Sequence, residues 1–162
     1  MSTANIEEAT ISCSLSPKEK DTDLARTIEY FENLSNLDNF NRVACKVRPI
    51  FASAEMLLCE LSIETAHINT KGTLHGGFSA ALVDIITGQA IGVTVKDKGI
   101  ASVEIAVSYL LPVKLGDRIK IDARVLKIGR SLAFADIEFR RPDGKIAVKG
   151  KHTVLLSDPP VT

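Results

Sequence analysis

The chain has 162 residues, 20 basic and 20 acidic side chains, and 45% hydrophobic residues, which suits one globular domain with its own core. Its formal net charge of zero argues against nucleic acid or an acidic membrane surface as the main partner. Its three cysteines are widely spaced and odd in number, so they indicate reduced thiols in a cytoplasmic protein and no disulfide framework. A mitochondrial location stays open.

The first part of the chain is predicted to hold a tail, a helix and two strands. Residues 1–21 are rich in serine, threonine and charge, and we expect a mobile tail there. Residues 22–36 carry apolar side chains at helical spacing and predict an amphipathic helix. Two strands are expected at 42–50 and 54–63, with a turn at 51–53 between them.

The most informative stretch runs from residue 69 to residue 93, where a polar loop turns into a helix that is apolar almost all the way round. Such a helix is expected to be buried, yet Asp84 sits in its middle. A buried ionised carboxylate is costly unless it is paired or used. His75-Gly76-Gly77 stands where the helix starts, and there the free N–H groups and the helix dipole favour negative charge. The sequence therefore predicts an active site on this segment.

Four further strands are predicted after the helix, followed by a short tail at 157–162. The short turns between them favour an antiparallel meander, so the fold class is α+β, with residues 22–156 forming one domain. We expect the sheet to wrap around the buried helix, with an extra N-terminal helix. Because one sheet cannot bury a helix on all sides, a partner subunit is expected. The four strands are predicted at 100–110, 118–128, 132–139 and 146–156.

The pattern N-x-x-G-T-L-H-G-G-x-x-x-x-L-x-D, from Asn69 to Asp84, resembles the hotdog-fold acyl-CoA thioesterases. The likeness is strongest to the branch of acyl-coenzyme A thioesterase 13 (thioesterase superfamily member 2) and the phenylacetate-pathway thioesterases. It continues through 102–117, 125–134 and 144–153 and keeps the order of the segments. Gln89 and the glycines around it depart from that branch, so the resemblance does not imply an acyl-chain preference.

The resemblance implies a long helix wrapped by an antiparallel sheet, assembled as dimers and then tetramers, with active sites at the dimer interface. It implies hydrolysis of an acyl-CoA thioester, with Asp84 as general base for water or as nucleophile. The Gly76 N–H would be the oxyanion donor. Asn69 and His75 would orient substrate and water, and Ser102 would come from the facing region.

Two segments resemble those that hold coenzyme A in this family. Their cations suit phosphate groups. No separate cofactor is implied, and no metal is predicted because His67, His75 and His152 lack metal-ligand spacing. The two segments comprise Tyr109, Leu110, Leu111, Pro112, Val113 and Lys114, and then Lys127, Ile128, Gly129, Arg130, Ser131 and Leu132.

Two other functions are considered beside the thioesterase. A non-catalytic acyl-CoA-binding or scaffold protein would use Asp84 as a polar interface residue. A hotdog enoyl-CoA hydratase or dehydratase would need a histidine paired with an acid, and His75 could serve. The thioesterase ranks first because the pattern from Asn69 to Asp84 is the thioesterase one.

Overall fold

The computed structural model describes residues 17–158, with side chains from residue 22 onward. Most of the predicted N-terminal tail, residues 1–16, lies outside the described residues, as do 159–162. Short 3-10 turns occur at Leu34–Asn36, Phe40–Ala44 and Thr65–His67. The regular elements are α1 (Pro17–Asn33), β1 (Arg48–Ala52), β2 (Met56–Ser62), α2 (Gly76–Thr94), β3 (Gly99–Tyr109), β4 (Arg118–Ile128), β5 (Leu132–Arg140) and β6 (Ile146–Ser157).

Helix α1 begins at Pro17, earlier than the predicted start at residue 22, because proline is tolerated in the first turn of a helix. Its inner face buries Phe31 against the core. The Asp23 carboxylate, which is also buried, lies 3.0 Å from the Lys96 ammonium group just beyond the end of α2. This ion pair ties the N-terminal helix to the central one.

The first predicted strand, at 42–50, is wrong over most of its length. Asn39 accepts a hydrogen bond from the Asn41 N–H at 3.0 Å and caps a 3-10 turn at Phe40–Ala44. The apolar residues of this stretch therefore pack against the core from a turn and not from a strand. Strand β1 starts only at Arg48. The second strand starts at Met56, because Ser53 and Met56 close the turn before it with paired backbone hydrogen bonds.

The sheet has the order β1-β2-β4-β5-β6-β3, and every neighbouring pair is antiparallel. Strands β4, β5 and β6 form a meander as predicted, but β3 does not join it beside β4. Instead β3 pairs with β6 at the far edge. The segment after β3 crosses one end of the sheet, where Val113 accepts from the Leu74 N–H and the Gly116 N–H donates to Ile63, each at 2.9 Å. This crossing explains why the predicted four-strand meander is wrong.

Helix α2 lies on the inner face of the sheet and forms the core with it. Its buried residues include Leu82, Val83 and Ile86. A side chain at position 150 of β6 would meet Val83 at 2.9 Å and Ile137 at 2.8 Å, so only glycine lets the helix approach the sheet this closely. By length and composition alone α2 could cross a membrane, but in this fold it is the core helix.

One face of α2 is not covered within the single chain, in agreement with the expectation that one sheet cannot bury this helix on all sides. Along this face the residues are small or polar and are exposed or only partly buried, and the Asp84 side chain is 46% exposed. The carboxylate of Asp84, which the sequence places in the middle of an apolar helix, is thus half-exposed in a single chain. The open face consists of Gly77, Ala81, Asp84, Gly88, Gln89 and Gly92.

Candidate functional site

The N-terminus of α2 is held by His75, which acts as its N-cap. Its Nδ1 accepts the Gly77 N–H at 2.9 Å, and its backbone carbonyl accepts the Ser79 N–H at 3.0 Å. The Gly76 N–H is the first of the helix and has no carbonyl within the helix to bond. This end of α2 can therefore receive a carbonyl oxygen or an anion.

Asn69 shapes the loop that leads into the helix. Its Oδ1 accepts the Lys71 N–H at 2.8 Å and the Thr73 N–H at 3.3 Å, and its Nδ2 donates to the Thr73 hydroxyl at 3.1 Å. The turn closes at Gly72, whose φ of +74° favours glycine. Asn69 therefore builds the loop, and it also lines the cleft in front of Gly76.

Tyr109, at the end of β3, packs against the helix start. Its hydroxyl donates to the Gly76 carbonyl at 2.9 Å, and a Cβ at position 76 would lie 3.3 Å from its ring. In front of these residues lies a cleft of about 370 Å³, here called the Gly76 cleft. Its lining contains most of the first predicted coenzyme A segment: Asn69, Lys71, Thr73, Leu74, Gly76, Ser79, Tyr109, Leu110, Leu111, Pro112, Val113 and Val148.

Asp84 is held on the open face of α2 by a neighbour from β3. The Ser102 hydroxyl donates to Asp84 Oδ1 at 2.7 Å. The interaction joins the two residues that the sequence predicted as base and helper, although they stand 18 positions apart. A carboxylate that accepts one hydroxyl and remains half-exposed can still take a proton from a water molecule.

His152 is a site residue that the sequence reasoning missed. It lies on β6, is 2% exposed, and points Nε2 toward Asp84 Oδ1 at 3.5 Å. Its Nδ1 lies 2.6 Å from the Thr87 hydroxyl, and Thr87 also lies 2.5 Å from the Val83 carbonyl. Burial lowers the pKa of His152, while the charge of Asp84 opposes that shift. A polar residue at an inward position of β6, between Gly150 and Val154, is the signal that could have found it.

The Asp84 cleft, of about 310 Å³, opens along the exposed face of α2. Tyr30 from α1 and Asn41 from the 3-10 turn Phe40–Ala44 also line this cleft, which the sequence did not predict. Burial and the charge of Asp84 raise the pKa of Tyr30, and its hydrogen bond with Asn41 lowers it less. The lining is Tyr30, Asn41, Asp84, Ile85, Gly88, Gln89, Gly92, Ile100, Ser102 and His152.

Within one chain these two clefts are separate. Gly76 and Asp84 are eight positions apart on α2, or about 12 Å at about 1.5 Å per residue. One thioester carbonyl must lie about 3 Å from both its oxyanion donor and the attacking group. The predicted catalytic residues therefore form two half-sites in a single chain, one around Gly76 and one around Asp84.

The two predicted coenzyme A segments are also separated. Tyr109 faces Val148 across the β3–β6 pair, whereas Leu132 faces Leu155 across the β5–β6 pair. Val148 and Leu155 are seven positions apart on β6, about 24 Å at about 3.4 Å per residue. The first segment thus belongs with the Gly76 half-site. The hairpin around Gly129 lies at the other end of the sheet.

The remaining histidine has a structural position. The His67 ring stacks on Phe78 with 4.6 Å between centroids, and its Nδ1 accepts the Glu64 N–H at 3.1 Å. Among the side chains that the structure describes, from residue 22 to residue 158, no group of three His, Cys, Asp or Glu could hold a metal ion. The absence of a metal remains a prediction.

Comparison with known proteins places the chain in a family. A putative esterase of Caenorhabditis elegans is 55% identical over 134 residues, which cover 82% of this chain and 79% of that protein. Acyl-coenzyme A thioesterase 13 of Mus musculus is 38% identical over 131 residues, 80% of this chain and 94% of that protein. The family model described as the thioesterase superfamily matches residues 71–148. The chain belongs to the thioesterase superfamily.

The solved structures agree. The crystal structure of zebra fish thioesterase superfamily member 2 superposes with a TM-score of 0.80 at 36% identity, covering 83% of this chain and 98% of that one. The predicted hotdog fold is confirmed. The family-model segment contains Gly76, Asp84 and Ser102, whereas Tyr30 and His152 lie outside it.

Proposed function

We propose that this thioesterase-superfamily protein hydrolyses acyl-CoA thioesters to a free acid and coenzyme A. The observation that carries the proposal is the Asp84 carboxylate on the open face of α2, which accepts a hydrogen bond from the Ser102 hydroxyl at 2.7 Å. The 38% identity to acyl-coenzyme A thioesterase 13 supports an acyl-CoA substrate. No separate cofactor is needed, since water is the second substrate.

The complete active site is proposed to form between two chains. Strand β3 lies at the sheet edge and exposes apolar side chains, with Val103 60% and Ile105 37% exposed. An unpaired edge of this kind is suited to pairing with a second strand. If two copies of β3 pair antiparallel about a two-fold axis, the Tyr109 end of one strand approaches the Ser102 end of the other. The Gly76 half-site of one chain then faces the Asp84 half-site of its partner.

In the proposed reaction the thioester carbonyl accepts a hydrogen bond from the Gly76 N–H at the helix start. Asp84 removes a proton from a water molecule as the water oxygen attacks the carbonyl carbon. The negative charge that develops on the carbonyl oxygen is stabilised by the Gly76 N–H and the dipole of α2. When the tetrahedral intermediate collapses, the carbon–sulfur bond breaks and coenzyme A leaves as the thiolate.

In this proposal the remaining site residues position the groups that react. Ser102 fixes the orientation of Asp84, and the buried His152 ring lies beside the same carboxylate, with Nε2 3.5 Å from Oδ1. Asn69 holds the loop, and His75 holds the helix end, so that the Gly76 N–H faces the cleft. Coenzyme A is proposed to contact both predicted segments, 109–114 and 127–132, which the two-fold partner brings to one site. Further pairing of dimers into a homotetramer is also proposed.

The hydratase alternative receives less support from the geometry. His75 uses its Nδ1 to cap α2, where its partner is the Gly77 N–H and not a carboxylate. The histidine beside Asp84 is His152, which is too buried to reach a substrate. Incubation with a 2-enoyl-CoA and mass analysis of the product separates the two reactions, since hydration retains the thioester and hydrolysis releases coenzyme A.

Thiol release from a panel of short, long and aryl acyl-CoA esters tests the proposed function. The wild-type protein is expected to release thiol from at least one ester. Asp84→Asn keeps the shape of the side chain but removes the base, and it is expected to abolish release with an unchanged circular dichroism spectrum. Binding of acyl-CoA without thiol release from any ester would instead indicate the non-catalytic binding protein. Wild-type turnover by Asp84→Asn would contradict the mechanism.

A further inference from the structure

The buried ring of His152 lies between the sheet and α2. Its neighbours across the sheet, Ile105 on β3 and Ala135 on β5, are apolar. Two side chains of α2 bring polar atoms to the two ring nitrogens. The Thr87 hydroxyl lies 2.6 Å from Nδ1, and Asp84 Oδ1 lies 3.5 Å from Nε2. The position of the proton on the neutral ring therefore depends on these two residues.

Thr87 has a single hydroxyl proton, and the helix already uses it. The residue is fully buried, and its hydroxyl donates to the Val83 carbonyl, four positions earlier, at 2.5 Å. Threonine commonly makes this bond inside helices. A hydroxyl that gives its proton to a carbonyl can only accept a hydrogen bond from a further group. Nδ1 of His152 is then the donor to Thr87, and the neutral ring carries its proton on Nδ1.

The second nitrogen of the ring, Nε2, is left with a lone pair. Nε2 is buried and has no hydrogen-bond partner among the described residues. If it carried a proton, we would expect a charge-assisted hydrogen bond to the carboxylate of about 2.7–2.9 Å. The observed separation from Asp84 Oδ1 is 3.5 Å. Burial lowers the pKa of His152 and so favours the neutral ring. These observations agree with an unprotonated Nε2 that faces Asp84.

We infer that Thr87 is a positioning residue, which holds His152 in the tautomer with its proton on Nδ1 so that Nε2 can accept a proton from Asp84. The inference rests on the proposed thioesterase function. Asp84 removes a proton from the attacking water and becomes a carboxylic acid. This proton then moves to Nε2, so that His152 becomes an imidazolium and Asp84 a carboxylate again. After the carbon–sulfur bond breaks, the proton returns through Asp84 to the departing thiolate, and both residues regain their starting states.

The tautomer can be read directly from the ring nitrogens. Long-range proton–nitrogen correlation spectra of nitrogen-labelled protein separate unprotonated ring nitrogens from those that carry a proton. The spectra are recorded at about pH 8, above the ordinary histidine pKa of about 6.5. His152→Gln identifies the signals of this ring by their loss. Wild type is expected to show a proton on Nδ1 and none on Nε2, and the opposite tautomer in wild type overturns the inference.

Substitutions at Thr87 test whether its hydroxyl sets the tautomer. Thr87→Val keeps the shape of the side chain but removes the hydroxyl, so the His152 proton is expected to move to Nε2, toward Asp84, in a large share of the molecules. Thr87→Ser keeps the hydroxyl and is expected to keep the wild-type tautomer. Thr27→Val is the matched control, because the buried Thr27 hydroxyl makes the same kind of bond, to the Asp23 carbonyl at 2.7 Å. A wild-type tautomer in Thr87→Val overturns the role of Thr87.

Turnover of an acyl-CoA ester tests the proton transfer from Asp84 to His152. Thr87→Val is expected to lower kcat by roughly tenfold or more with little change in KM, because proton transfer makes a large contribution to general-base catalysis. Thr87→Ser and Thr27→Val are expected to keep the wild-type kcat. An unchanged kcat in a Thr87→Val protein whose tautomer has changed overturns the proton transfer.

Failure of the proposed function is distinguished from failure of this inference. If wild type releases no thiol from any acyl-CoA, the proposed function fails and the proton transfer fails with it. The wild-type nitrogen spectrum still decides the tautomer of His152, and it does so whether or not Thr87→Val folds.

Discussion

Asp84 depends on two residues that approach it from different strands. Ser102 on β3 donates its hydroxyl proton at 2.7 Å, and His152 on β6 places Nε2 at 3.5 Å. The Thr87 hydroxyl in turn lies 2.6 Å from the second nitrogen of His152, one turn of α2 after Asp84. The hydrogen bond from Ser102 holds the carboxylate in one orientation. The proposed general base needs this, because proton transfer depends on geometry before it depends on pKa.

The proposed oxyanion role of Gly76 can be tested by removing its backbone N–H. Gly76→Pro removes the N–H at the first helical position, where proline is tolerated, and His75 before it has the extended ψ of 129° that a following proline prefers. Loss of one oxyanion donor is expected to lower kcat by roughly 100- to 1000-fold. Gly76→Ala introduces the same Cβ beside Tyr109 but keeps the N–H, so it is the matched control. Equal activity of the two variants would exclude the Gly76 N–H as the donor.

The burial of His152 predicts an acid-sensitive fold. Its folded pKa is lowered, mainly by burial, so the neutral form is favoured in the folded state. The stabilisation is present above the unfolded pKa and is lost as the pH falls through the folded pKa. The free energy of unfolding of wild type is therefore expected to fall between about pH 7 and about pH 5. His67, whose pKa is also lowered by burial, acts with the same sign.

Urea unfolding of wild type and His152→Gln across this pH range is the measurement. The variant lacks the titrating ring, so its free energy of unfolding is expected to fall less steeply on acidification. The same slope for both proteins would show that His152 does not contribute to the pH dependence.

At the scale of elements, β3 is distinctive because it is a long strand whose residues are mostly exposed on both faces. Val103, Ile105, Val107 and Tyr109 alternate with small or polar residues along β3, but of these four only Val107 packs against the core. One long edge is occupied by β6, and the other is free in the single chain. The exposed apolar residues of this edge support β3 as the subunit interface.

A charge at the free edge is expected to separate the subunits. Val103 is 60% exposed in the single chain, and Val103→Lys is expected to shift the protein toward monomer in sedimentation velocity runs at low micromolar concentration. Leu126→Lys provides the control, because Leu126 is similarly exposed at 58% but lies on β4. If both variants dimerise like wild type, β3 is not the interface.

Elements with a strong local pattern were predictable, whereas those set by distant contacts were not. Strand β4 has the bounds that its alternation predicted, and β5 ends one residue later. The stretch 42–47 was misassigned because the Asn39 cap overrides its weak alternation. The position of β3 beside β6 depends on a crossing segment at the end of the sheet, which no local pattern encodes.

The site was predictable to a similar extent. The segment from Asn69 to Asp84 is a local motif, and the bond between Asp84 and Ser102 agrees with the pairing that the resemblance implied. His152, Tyr30 and Asn41 reach Asp84 from β6, α1 and a 3-10 turn, so only the folded chain brings them together. The half-exposure of Asp84 in a single chain agrees with the expectation that one sheet cannot cover this helix on every side.

At the scale of the whole molecule, the proposed mechanism places two half-sites on a single chain, too far apart to act on one thioester. About 12 Å of helix separates the Gly76 N–H from Asp84, and the two predicted coenzyme A segments lie at opposite ends of the sheet. The proposed two-fold partner would resolve both separations at once, because each half-site would then face the complementary half of the other chain. In the proposed mechanism, activity is therefore a property of the pair of chains.

Subunit complementation tests this claim most directly. Asp84→Asn and Gly76→Pro chains, each inactive alone, are mixed after dissociation and allowed to reassociate, and thiol release is measured. If sites are shared, each mixed dimer holds one intact site and one doubly altered site, so random mixing restores about a quarter of wild-type activity. If each chain uses its own Gly76 and Asp84, every site carries a lesion, and no activity above that of the separate variants returns.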